Sequence, residues 1–311
     1  MECTRCPRRC SGKPYCGFAL GRDLYPWKAL MMTISSVEAL PLYHYHPGTV
    51  LLKLWVGGYT YRCEGCPWEP LAAGPRSLEL RPLETSIVVE RAEKSKASHI
   101  AVAGAEPLIN DWVYDACREL RDRGYSCGYK TGGYVSWRRV ERAARAGDFL
   151  VYEVMGDPPG DVDFRVFLDN LSRLRSEEIH LEVVYYHRPG SRKSSTHFSA
   201  VVGTLGPRTP LHVVPLGSES LPGQEARRLY ERAVDAGFKY VYVHGDPWER
   251  FSATRCPSCG VPLVERLGGR VSAVALEDGC CPKCGGRVDI IGLKSIPKRR
   301  VVWLLEEDIV W

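Results

Sequence analysis

At 311 residues the chain is too long for one small core, and it implies a large α/β domain with appendages, or two domains. Its 44% hydrophobic and 25% charged residues describe an ordinary globular chain, and no apolar run is long enough to span a membrane. The net charge of +5 gives a nucleic-acid partner only weak support.

The chain starts with "MECTRCPRRC", which is basic and cysteine-rich and lacks the apolar core of a signal peptide, so a cytoplasmic location is expected. Thirteen cysteines in such a setting argue for metal rather than disulfides. One feature keeps disulfides in view. Gln224, Asn110 and Asn170 are the whole stock of side-chain amides, a depletion typical of hot-adapted proteins, where intracellular disulfides persist. Cys3, Cys6, Cys10 and Cys16 offer four thiolates at a spacing that matches no standard finger. Zinc is the simpler occupant, and an auxiliary iron–sulfur cluster is the alternative.

From residue 49 onward, apolar β-branched runs alternate with amphipathic helices. Strands are expected at 49–56, 99–104, 126–132, 149–156, 179–186, 210–216 and 239–245. Helices are expected at 86–96, 111–124 with Gly124 as C-cap, 136–147, 163–176 and 223–236. Repeated β-α units with continuous apolar strands imply a parallel sheet covered by helices. Six or seven units suit a partial TIM-like barrel better than a two-sided sheet, but strand periodicity does not report closure, so a doubly wound order stays open. In either case ligand sites belong at the C-terminal ends of the strands.

The strongest local signal comes late. "RCPSCG" (255–260) and "CPKCGG" (281–286) are two C-P-x-C-G knuckles around a stretch that reads as a hairpin. Glycine and proline let each knuckle turn two thiolates toward one ion. Cys256, Cys259, Cys281 and Cys284 therefore form a tetrahedral set suited to structural zinc, with Cys280 left over.

These segments carry a resemblance. The chain from about residue 3 to 290 resembles the radical S-adenosylmethionine (radical SAM) enzymes of the AmmeMemoRadiSam system, relatives of the pyruvate formate-lyase activating enzymes. "CTRCPRRC" with "YCGF" is similar to that family's N-terminal cysteine segment, and "PLYHYHPGT" (41–49) to its approach to the first strand. "GYTYRCEGCPW" lies where the family has its cluster loop, C-x-x-x-C-x-aromatic-C. "GAEP" (104–107) resembles the edge that receives the amino group of SAM, "TGGY" (131–134) a T-N-G-Y turn, and "EVM" (153–155) a D-L-K motif. "LHVV" (211–214) keeps the family's histidine as His212.

The resemblance implies an α/β fold, a partial (β/α)6 TIM-like barrel of radical SAM type. Its divisions are an N-terminal Cys-rich segment (1–46), the barrel (47–250), a zinc ribbon (251–294) and a tail (295–311). It implies Tyr59, Cys63 and Cys66 at a [4Fe–4S] cluster, and Gly104, Ala105, Glu106, Pro107, Thr131, Glu153 and His212 around SAM. The departures share one place. Tyr59 stands for the first cluster cysteine, Gly65 for an aromatic on the adenine, Gly132 for the turn asparagine and Met155 for the lysine. A phenol with a pKa of about 10 is a hard ligand, poorly suited to a soft iron centre.

Three functions compete. One is a divergent cluster- and SAM-dependent enzyme. Another is a cluster-less barrel that binds a protein, ribosomal or RNA partner through its cysteine modules, the "GSRKSS" loop (190–195) and the tail with "PKRR" (297–300). The third is a different enzyme that uses Glu106, Glu153, His187 and His212 in the retained pocket.

Overall fold

A computed structural model describes residues 2–12, 15–16, 28–62, 81–217, 221–245 and 250–293, together with the backbone of Asp308–Ile309. In chain order the strands are β1 (Lys28–Ala29), β2 (Met31–Ser36), β3 (Val50–Val56), β4 (Arg81–Pro82), β5 (His99–Gly104), β6 (Ser126–Thr131) and β7 (Phe149–Met155). They continue with β8 (His180–His187), β9 (Leu211–Pro215), β10 (Val241–Val243), β11 (Thr254–Arg255), β12 (Pro262–Leu267), β13 (Arg270–Val274) and β14 (Asp308–Ile309). The α-helices are α1 (Thr85–Ser95), α2 (Trp112–Asp122), α3 (Trp137–Ala146), α4 (Arg165–Leu174), α5 (Arg192–Thr204) and α6 (Gly223–Asp235).

The main sheet runs β10-β9-β8-β7-β6-β5-β3-β2-β14. From β3 to β10 every neighbouring pair is parallel, each strand lies beside the next strand of this sheet in chain order (β4 pairs with β1 in a separate two-stranded sheet), and one α-helix separates each pair. The order never reverses, so the switch point of a doubly wound sheet is absent from these strands. Right-handed crossovers in one direction put the helices on one face. Strand alternation then sorts the side chains. Leu52, Leu54, Ile100, Val102, Tyr129, Leu150, Tyr152, Val183 and Val213 pack under the helices, against Val113, Leu120, Val140, Phe167, Phe198 and Leu229. The opposite face is apolar in part, where Leu51, Ala101, Ala103, Phe149, Val151 and Val184 meet Val37, Leu40, Leu42 and Tyr45 from the 37–45 segment.

Most expected elements are present. Gly124 follows α2 at φ 89, a left-handed position that suits glycine. α5 is absent from the sequence reading. Its sequence "RKSSTHFSAVVGT" is rich in small hydroxyl residues, and Ser191 caps it by accepting from the Ser194 N–H. β2 runs antiparallel to β3, and β14 runs antiparallel to β2 in turn. The described piece of the tail therefore completes a sheet edge of its own chain. No helix among the described residues is long and apolar enough to cross a membrane.

Among the described residues, one disulfide departs from the metal-only use of cysteine that composition suggests. It joins Cys117 of α2 to Cys127 of β6, and both residues are buried beneath the helix layer. It closes a short loop of 10 residues' separation, for which loop-closure entropy gives roughly 2–3 kcal/mol. The double variant Cys117→Ala/Cys127→Ala should unfold at a lower temperature than the oxidised protein and at the same temperature with or without reductant. An unchanged melting temperature would count against any contribution of the bond to stability.

Candidate site at the C-terminal edge of the sheet

Gly104 ends β5 at φ 105, and a Cβ there would sit 2.5 Å from the Val56 carbonyl oxygen. Only glycine lets the two strand ends press together at this point. Beyond it the Ala105 N–H donates to Val56 O (3.0 Å) and the Glu106 N–H to Gly58 O (2.9 Å). These bonds fix the loop after β3, which carries Tyr59, against the loop after β5.

Glu106 is the hinge of this edge. Its carboxyl accepts from Thr131 Oγ1 (2.8 Å), the Gly132 N–H (2.9 Å) and the Leu108 N–H (3.2 Å). Gly132 in turn accepts through its carbonyl from the Tyr61 hydroxyl (3.1 Å). Glu106 is 1% exposed, and burial pushes its carboxyl up to about 7, against the three hydrogen bonds and with help from the Glu153 charge. A carboxyl titrating near neutrality at a strand end marks a candidate functional group.

Gly104, Ala105, Glu106, Pro107 and Thr131 thus come together with the loop that holds Tyr59. Tyr59 is half-buried; Cys63, Gly65 and Cys66 lie outside the described residues. Glu153 stays on the same side of the sheet, paired with Lys130 (2.9 Å) and bonded by the Tyr186 hydroxyl. Met155 is buried.

His212 goes elsewhere. It is the second residue of β9, about 10 Å below the last. Its Nε2 faces Glu182 (2.9 Å) and its Nδ1 faces His244 (3.0 Å). His187 is buried between Glu225 (2.8 Å) and Ser194 (3.0 Å), where it ties the first turn of α5 to α6.

Glu182 is the residue the sequence reading missed. Fully buried, it accepts from the backbone N–H groups of Tyr43 (3.0 Å) and His44 (2.8 Å) and from His180 (3.0 Å) and His212. Its signal was a lone carboxylate inside the apolar strand "IHLEVVYY", where a charge demands partners. From below, Arg266 of β12 stacks 3.7 Å over the Tyr43 ring and donates to Tyr43 O (3.1 Å) and Thr254 Oγ1 (3.0 Å). His44 reaches Asp289 O and the Tyr242 hydroxyl at 2.6 Å each. The buried polar cluster thereby fastens β11–β13 to the main sheet.

Cys256, Cys259, Cys281 and Cys284 lie with all four sulfurs within 4.8 Å of one another and could hold a metal ion such as zinc. Cys256 and Cys284 are 3.6 Å apart, and Cys259 and Cys281 3.7 Å. Each knuckle closes on a left-handed glycine, Gly260 (φ 72) and Gly285 (φ 70), whose N–H returns to the carbonyl of the first cysteine.

The N-terminal cysteines rest on the same edge as Glu106. Arg5 pairs with Asp111 (3.0 Å), and its carbonyl accepts from the Ser136 N–H. Arg8 donates to the carbonyl of Thr60, next to Tyr59, and pairs with Asp161 (2.9 Å).

No family model matches the chain. The chain is similar to a protein of Methanocaldococcus jannaschii described as uncharacterized protein MJ0808, at 26% identity over 94% of this chain and 96% of the relative.

Proposed function

We propose that the chain is a divergent radical SAM-like protein, its parallel sheet curved as a partial (β/α)6 barrel and its ligand site at the edge around Glu106. One observation supports this most. The three segments that carry the resemblance at the mouth, residues 57–62, 104–107 and 131–134, are bonded to one another through Glu106 and Gly132. The single-file strand order with one helix per crossover suits that barrel.

The donor set falls short of a full cluster site. Three thiolates are needed; the loop provides Cys63 and Cys66, and its third position is the phenol of Tyr59. What the edge can do is bind. An ammonium-bearing ligand such as SAM would meet the Glu106 carboxyl, whose ionised form is the one that attracts it. For the C-terminal sulfurs we infer zinc, because a tetrahedron with Zn–S bonds of about 2.3 Å has edges of about 3.8 Å. The sulfur separations of 3.6 and 3.7 Å lie close to that.

The test is a pair of measurements. Tyr59→Cys should take up more iron than the wild type on anaerobic reconstitution. SAM affinity should also rise several-fold as pH climbs through about 7, because the raised pKa keeps Glu106 protonated below it. In Glu106→Gln that dependence should be lost. A wild type that binds no SAM at any pH, with Tyr59→Cys equally iron-free, overturns the reading.

A further inference from the structure

The N-terminal segment reaches the mouth of the sheet through two arginines. The Ser136 N–H donates to Arg5 O (3.0 Å), and the Arg5 guanidinium pairs with Asp111 (3.0 Å). Arg8 donates through Nε to Thr60 O and pairs through Nη1 with Asp161 (2.9 Å). Their partners lie in the segments that follow β3, β5, β6 and β7, each at the C-terminal end of its strand. The segment is therefore part of the wall around the site of Glu106.

Arg8 is the residue of this wall with something left to give. Its Nε and Nη1 are bonded, and its face stacks 3.8 Å from the centre of the Tyr15 ring, so the plane of the guanidinium is fixed. Its Nη2 is buried without a hydrogen-bond partner. Buried donors are nearly always paired, and each exception calls for an acceptor from outside the chain. The charge is still on offer too. Asp161 is 59% exposed, and an ion pair open to water on one side neutralises its partner only weakly.

The position of Arg8 gives the acceptor its chemistry. Thr60 lies two residues beyond Gly58, whose carbonyl accepts from the Glu106 N–H (2.9 Å). The anchor points of Arg8 and Glu106 are thus separated by at most about 7 Å of chain. Next to Thr60, the Tyr61 hydroxyl donates to Gly132 O (3.1 Å), and the Gly132 N–H donates to the Glu106 carboxyl (2.9 Å). One short run therefore carries a guanidinium and a carboxyl, the complements of a carboxylate and an ammonium. A ligand with an α-amino acid group has both. The planar fork of arginine is the side chain best matched to a carboxylate.

We propose that Arg8 is a specificity-determining residue of the mouth, its Nη2 receiving the carboxylate of the ligand whose ammonium meets Glu106. The proposal rests on the ligand site of the proposed function and narrows its ligands to those with an α-amino acid group.

The experiment compares SAM with its decarboxylated form, which keeps the ammonium and lacks the carboxylate. Binding of each to the full chain is measured at pH 7.5, where most of Glu106 is ionised. The wild type should bind SAM about 10- to 100-fold more tightly, the range for a charged hydrogen bond. Arg8→Gln should lose that margin and leave the affinity for the decarboxylated form unchanged. Arg8→Lys, which keeps the charge without the fork, should retain part of it. Glu106→Gln should weaken both ligands alike. Equal affinity of the wild type for the two forms overturns the proposal, and that comparison decides even where Arg8→Gln does not fold. Equal weakening of both ligands in Arg8→Gln overturns it as well, because Arg8 then only holds the segment in place. An Arg8→Gln variant with the wild-type margin overturns it in favour of a buried water on Nη2. A wild type that binds neither form marks the failure of the proposed function itself, and the proposal falls with it.

Discussion

Cys259→Ser should unfold residues 251–293 and loosen the face of the main sheet that they cover. The ribbon has little core of its own. Of its few buried apolar residues, Leu263 and Val288 with Cys256 and Cys281 form one small cluster with Tyr43, Tyr240 and Tyr242, and Val264 is the other. A segment of this size rarely folds on such a core without a metal or a disulfide. Binding of a four-thiolate ion supplies about 10–16 kcal/mol, and here that is folding free energy. Once the knuckles open, Arg266 loses its purchase on Tyr43, and His44 loses the Asp289 carbonyl. Hydrogen exchange should then rise in the ribbon and in residues 37–46, while the helices on the other face keep their protection. Full protection of the ribbon in a zinc-free variant would sink the idea. An opened ribbon above an unchanged 37–46 segment would show that the two are not coupled.

The helix-covered half of this fold was legible in the sequence, and the opposite face was not. Strands such as 99–104 and 149–155 are continuous apolar runs, and the helices between them have one apolar stripe each, so local periodicity suffices. α5 escaped because its Ser, Thr and Gly residues blur that stripe; what holds it is the Ser191 cap and the burial of Phe198 and Val201. At the site, spacing was enough for the ribbon, where four cysteines on two tight turns leave one geometry. It was not enough for His212. A histidine on a strand can face either end of the sheet, and this one is claimed by Glu182 thirty residues earlier in the chain. Nor did any local signal mark Cys117 and Cys127 as partners, because helix and strand meet only in the tertiary structure.

Glu182→Ala should cost about 3–5 kcal/mol, the range for removing one partner of a buried, paired charge. Burial alone would raise the Glu182 carboxyl, but the hydrogen bonds and charges of His180 and His212 overcome it and hold it well below the usual carboxylate range. Its contribution is therefore present above the ordinary carboxylate pKa and lost only in acid. Removal would strand two backbone N–H groups, those of Tyr43 and His44, in a dry interior. Glu182→Gln keeps one carbonyl acceptor and should cost less, about 1–3 kcal/mol.

The surrounding histidines add a pH dependence of the same sign at higher pH. Burial brings His44 and His99 down to about 4 and His244 to about 3, so all three are neutral in the fold. Unfolded histidine takes its proton near pH 6.5, so each group withdraws up to about 1.4 kcal/mol per pH unit as the pH falls below that. Urea midpoints at pH 7, 6 and 5 should fall steadily in the wild type. They should fall at least as steeply in Glu182→Gln, because His212 then loses the charge that favoured its proton. A wild-type midpoint that is flat from pH 7 to pH 5 would mean that these imidazoles are not buried neutral. A Glu182→Ala variant within about 0.5 kcal/mol of wild type would mean that the cluster does not fasten the ribbon to the sheet.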